Sequence, residues 1–83
     1  MQEIKNFITA SSKADLSNVE SFAKLLKTGA DILCLSDKDL AHEFSASITT
    51  IKKWKNGVTT PHLIFRHHVV NYLVELAREK LNN

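Results

Sequence analysis

Leu40-Ala41-His42-Glu43-Phe44-Ser45-Ala46-Ser47-Ile48-Thr49-Thr50-Ile51-Lys52-Lys53-Trp54-Lys55-Asn56-Gly57, followed by Thr60-Pro61, decides the fold of this 83-residue chain. Leu40, Ala41 and Phe44 fall three and four residues apart, the spacing of one buried helix face. Just before them Ser36 is placed to cap that helix, with Asp37 and Asp39 in a first turn where negative charge complements the helix dipole. Ser45 and Ala46 interrupt the pattern. Ser47 then caps a further helix, Ile48 to Lys55, whose inward positions are Ile51 and Trp54 and whose outward ones are Thr49, Thr50, Lys52 and Lys53. Asn56-Gly57 ends it, because both residues tolerate positive φ. Thr60-Pro61 is expected to open the next helix, since proline's missing N–H costs nothing in a first turn.

Outward from this stretch, every other segment also reads as helix or linker. Toward the N-terminus, Val19, Phe22, Ala23, Leu25 and Leu26 recur at helical spacing, with Ser17 as the expected cap and Glu20 as its capping-box partner. That helix ends at Gly29 or continues through Ala30, Ile32, Leu33 and Leu35; the residues leave both open. Thr9 to Asn18 is rich in Ser, Asp and Asn and reads as a linker, preceded by Ile4, Phe7 and Ile8 at helical spacing. Toward the C-terminus, a helix is expected to run from Pro61 to Leu81. Its apolar residues, among them Leu63, Ile64, Phe65, Val69, Val70, Tyr72, Leu73, Val74, Leu76 and Leu81, are too widely spread for one core-facing stripe. A second surface, most simply a self-complementary dimer contact, accounts for the surplus. The expected architecture is all-α, one compact domain of four to five helices: an N-terminal segment and linker over 1–16, the paired helices over 37–55 and a long C-terminal helix over 61–81.

Bulk properties narrow the class. A chain this short holds one core. Hydrophobic residues make up 43% and charged residues 24%, a mix that folds rather than staying disordered. With two glycines and one proline it lacks the turns of an all-β protein. One cysteine, Cys34, forms no internal disulfide, and no Cys/His spacing resembles a zinc site, so the chain is expected to be cytoplasmic. No apolar run approaches the roughly 20 residues of a membrane span. The net charge of +2 hides an asymmetry. Residues 1–43 carry five Lys against seven Asp or Glu, and residues 44–83 carry six Lys or Arg against two Glu, with no acid between Phe44 and Val74. That second half can face a phosphate backbone without repulsion.

Two short helices joined by Ser45-Ala46-Ser47, with small Ala41 at their crossing, form a helix-turn-helix. The run from Leu40 to Gly57, with Pro61, resembles the Xre family of regulators, which includes lambda Cro and the phage repressors. Leu40-Ala41, Phe44, Ser47, Ile51, Trp54, Asn56-Gly57 and the proline carry the resemblance, which spans about Leu35 to Leu73. Two positions depart from it: Ser45 stands where the family usually has glycine, and Ile48 where it often has Gln or Arg. The resemblance implies a lambda-repressor-like domain binding a pseudo-palindromic double-stranded DNA operator as a homodimer, with no cofactor, metal or small-molecule substrate. Ser47, Ile48, Thr49, Lys52 and Lys53 would then face bases in the major groove. Lys53 would donate to guanine O6 and N7, Thr49 would bond a base or phosphate, and Ile48 would touch a thymine methyl. Ser36, Lys55, Asn56, Thr59, Thr60 and Arg66 would hold phosphates, which set register.

Other striking residue types have plainer readings. Trp54, on the inward face beside Ile51, is expected in the core. Cys34, among Ile32, Leu33 and Leu35, is expected to be buried. His67 and His68 are adjacent and point to different faces, with no ligand one turn away, so a metal site is not expected. An enzyme is disfavoured by the lack of a glycine-rich phosphate loop or a supported Ser/His/Asp set. The competing functional reading is a protein-interaction module, such as an antitoxin or adaptor, whose partner docks on the apolar C-terminal helix.

Overall fold

Each segment with apolar residues at helical spacing is a helix, giving α1 (Gln2–Lys13), α2 (Val19–Ile32), α3 (Asp37–Glu43), α4 (Ile48–Lys55) and α5 (Leu63–Leu81). This is a computed structural model; it describes residues 2–82 and contains no strand among them. The all-α expectation holds. The radius of gyration, 11.8 Å, is what a compact chain of this length shows, about 12 Å.

One core joins all five elements. Phe22 and Leu26 of α2, Leu40 of α3, Ile51 of α4, and Val69 and Leu73 of α5 are fully buried, and Ile4 and Phe7 of α1 close over them. Gly29 lies inside α2 and does not end it. A Cβ there would stand 2.7 Å from Phe7 Cζ and 3.2 Å from Leu73 Cδ1, so the missing side chain is what lets α1 dock. Docking also explains why α1 runs to Lys13 through residues expected to be linker. Ile4 and Phe7 gain burial, and Ser12 satisfies its hydroxyl inside the helix by donating to the Thr9 carbonyl at 2.7 Å.

Two expected helix starts move. The cap of α2 is Asn18, whose side chain accepts from the Ser21 amide at 3.0 Å. Ser17 is unavailable, because its amide and hydroxyl both donate to Asp15 Oδ1, at 3.0 and 2.6 Å. At the other end, α5 starts at Leu63, two residues after Pro61. The Pro61 carbonyl accepts from Arg66 Nε at 2.8 Å, and the first backbone bond of the helix runs from the Arg66 amide to the His62 carbonyl.

Helices α2, α3 and α4 stop in the same way. A residue with positive φ follows each, Cys34 (57°), Ser45 (53°) and Gly57 (71°). The next amide then reaches back five residues: Leu35 to Ala30 at 2.9 Å, Ala46 to Ala41 at 2.9 Å and Val58 to Lys53 at 3.0 Å. These are Schellman stops, and only one of the three has the glycine that suits the left-handed position. The stop turns Cys34 outward while Leu33 stays buried, which corrects the expectation of a buried thiol. Ser45→Gly is expected to raise the unfolding free energy by up to about 1 kcal/mol by relieving the left-handed strain, partly offset by glycine's greater unfolded-state entropy. Urea denaturation reads the change, and a loss of stability would mean that the Ser45 side chain contributes more than its strain costs.

Candidate nucleic-acid interface

Helix α4 is fixed from beneath and open above. Ile51 and Trp54 are buried, whereas Thr49, Lys52 and Lys53 are exposed and Thr50 is half-buried. Ile48, at the front of the helix, is 44% exposed. An eight-residue helix is about 12 Å long, so Ser47, Ile48, Thr49, Lys52 and Lys53 fall on one short outward surface.

The cap at Ser47 uses most of that hydroxyl. Its Oγ accepts from the Thr50 amide at 3.0 Å and donates to Thr50 Oγ1 at 2.8 Å. Thr49 Oγ1 and the Lys52 and Lys53 ammonium groups remain directed at solvent. At the far end of α4, Lys55 Nζ lies 2.6 Å from Asp37 Oδ1, tying the C-terminus of α4 to the first turn of α3. This is the one ion pair among the described residues.

The expected phosphate contacts do not form one set. Asn56, the C-cap of α4, and Thr59 are exposed and follow the basic helix directly. Ser36 is part of a closed capping box, its hydroxyl accepting from the Asp39 amide at 3.0 Å and its amide donating to Asp39 Oδ2 at 2.9 Å. The Thr60 hydroxyl is buried without a hydrogen-bond partner. Arg66 is engaged elsewhere: besides Pro61, its guanidinium donates through Nη1 to the Leu16 carbonyl at 2.8 Å and the Ser17 carbonyl at 3.3 Å. It ties the linker to α5, a role that nothing in the local sequence announces.

Aromatic rings hold the helix-turn-helix to α5. No Cα of α3 or α4 comes within 8 Å of one in α5, so long side chains must bridge the gap. Phe44 packs edge-on against Phe65 and Tyr72, at centroid distances of 5.9 and 5.3 Å, and Trp54 meets Phe65 at 6.0 Å. His68 joins the cluster 5.5 Å from Phe65, which gives that histidine a packing role.

The carboxylates near this surface are committed. Asp39 is held below the usual carboxylate range, first by the Ser36 amide and then by its hydroxyl. Tyr72 is pushed above its ordinary value, chiefly by burial and then by the adjacent Glu43 carboxylate. A raised folded pKa means that the neutral phenol stabilises the fold fully below about pH 10 and that this contribution is lost as pH rises through the folded value. Since Tyr72 is the single tyrosine, tyrosinate absorbance should titrate above the free value in the native protein. A midpoint at or below that of unfolded chain would contradict the partial burial of Tyr72.

Other features are less suited to carry the function. A cavity of about 580 Å³ is an open groove between α1 and α2 lined by Phe7, Ala10, Leu25 and Ile32, apart from α4. Among the described residues, no three His, Cys, Asp or Glu side chains gather where a metal could be held, and no helix is long and apolar enough to cross a membrane. Compared with protein-family models, curated proteins and solved structures, the chain matches none.

Proposed function

We propose that this protein is a sequence-specific, double-stranded DNA-binding transcriptional regulator of the Xre type, a repressor that inserts α4 into the major groove. The observation that carries this reading is the geometry of α4. Buried Ile51 and Trp54 seat it, and Ile48, Thr49, Lys52 and Lys53 stand outward with no acidic residue on the helix. A short exposed basic helix following a tight turn is the element that reads base edges in helix-turn-helix proteins. Its cytoplasmic, bacterial or phage-encoded setting follows from the same reading.

Dimer formation belongs to this proposal. Val58, Leu63 and Ile64 are 68%, 39% and 76% exposed, and they cluster in sequence around the α4–α5 connection and the start of α5. In the operator-binding form a homodimer would cover them, and it would have to present two copies of α4 to successive major grooves, about 34 Å apart. The same patch also fits the alternative reading, an antitoxin or adaptor whose protein partner covers it.

Selection from a randomised duplex library, followed by affinity measurement against salt, tests the proposal. Enrichment of an inverted repeat with a steep loss of affinity as salt rises is the expected result. Weak binding indifferent to sequence would overturn it. Sedimentation separates the two uses of the patch: a homodimer in isolation supports the operator-binding form, and a monomer supports the adaptor.

A further inference from the structure

Helices α1 and α2 leave an open groove between them that no other element lines. Phe7 meets Gly29, and residues 14–18 join the two helices, so they run antiparallel. Glu3 and Asp31 stand at one end of the groove, and Ala14 and Ser21 at the other. Its floor is apolar, built from Phe7, Leu25 and Ile32. Its walls carry Ala10, Ala14 and Thr28, small side chains that let a second helical face come close.

The charges on this face have a symmetry of their own. Lys24 and Asp31 are both exposed and both line the groove. Two helical turns separate them, which puts them on one side of α2, about 10.5 Å apart along its axis. Neither forms an ion pair among the described residues. A two-fold axis through the midpoint between Lys27 and Thr28 would lay α2 antiparallel to α2 of a second copy, with Lys24 of each copy opposite Asp31 of the other. Glu3, at the Asp31 end, adds to the negative charge that this lysine meets. Lys27 is exposed beside the midpoint but does not line the groove. We infer that this face is covered by a second copy of the chain, its own α1–α2 face packed across that axis and held in register by two Lys24–Asp31 pairs. A two-fold contact requires a surface complementary to itself, and opposite charges placed evenly about a midpoint supply one. The contact is weak. Helix α2 has 14 residues, about 21 Å, and two neighbouring helices are about 20 Å wide, so each copy offers about 400 Å², half the roughly 800 Å² per partner of a standard interface. The face shares no residue with α4 or with the patch at Val58, Leu63 and Ile64, so the inference does not rest on the DNA-binding reading.

Sedimentation over a wide concentration range tests it, on protein carrying Ile64→Asp so that the other apolar patch is charged and only this contact is read. A monomer–dimer equilibrium is expected at high concentration, weakened by salt. Lys24→Glu alone sets carboxylate against carboxylate at both pairs, and Asp31→Lys alone sets ammonium against ammonium. Each is expected to weaken the dimer about tenfold. An equimolar mixture of the two variants has opposite charges at both pairs of its mixed dimer, and so does the double variant; both are expected to regain the association of the unswapped protein. Rescue on mixing is a result that a structural role of either residue within one copy does not produce. Both positions are exposed, and circular dichroism verifies that the helix is kept. A protein that stays monomeric throughout the range, single variants that associate as well as their parent, or a mixture as weak as its components would each overturn the inference. Failure to select any operator would remove the DNA-binding reading and leave this contact in place.

Discussion

Trp54→Ala is expected to lower the free energy of unfolding by about 3–5 kcal/mol, the range for truncating a large buried aromatic. The indole is buried on the inward face of α4 and meets Phe65 edge-on at 6.0 Å. The truncation leaves a cavity where the backbones of α4 and α5 are already too far apart to close it. A domain of this size has about 4–12 kcal/mol of stability, so the variant should sit near its unfolding midpoint under mild conditions. Urea denaturation followed by circular dichroism is the measurement, because the substitution removes the only tryptophan. A loss below about 1 kcal/mol, the scale of a surface change, would show that the helix is seated by Ile51 alone.

Lys53→Ala should act on binding and not on folding. Its ammonium is exposed and makes no ion pair among the described residues, so stability is expected to stay within about 0.5 kcal/mol of wild type. On the selected operator the loss should be about 1–3 kcal/mol, with relaxed preference at one base pair, while scrambled DNA loses much less. Lys55→Ala is the contrast. It removes a cation proposed to hold a phosphate and strands Asp37, so it should weaken binding to all sequences and also lower the melting temperature. Equal losses for Lys53→Ala on operator and scrambled DNA would remove its base-reading role.

Much of this fold was legible in the sequence because its signals are local. Ser36 and Ser47 cap α3 and α4 as their side-chain chemistry requires, and Ile51 and Trp54 face inward as a 3.6-residue period dictates. What stayed hidden depends on contacts between distant residues. The Ser-rich end of α1 is helical because Phe7 finds Gly29 across the fold, a packing term that outweighs weak propensity. Arg66 looked like a phosphate ligand and instead bonds carbonyls of the linker, about fifty residues away in sequence. Ser17 lost its capping role to a neighbour, Asp15, and that competition is written in the sequence but settled only by geometry. At the candidate interface, residue types and spacing identified the outward side chains, whereas the commitment of Asp37 and Asp39 required the structure.

The three Schellman stops bear on how quickly the chain reaches this arrangement. Each closes within six residues, so the directions of α2, α3 and α4 are set by bonds that need almost no loop closure. Helical proteins dominated by such local contacts fold in roughly microseconds to milliseconds. The slow steps are then the ones that span the chain, the docking of α1 onto Gly29 and the closing of Arg66 on the linker. A newly made copy would present α3 and α4 in their mutual orientation before its two ends are fastened together.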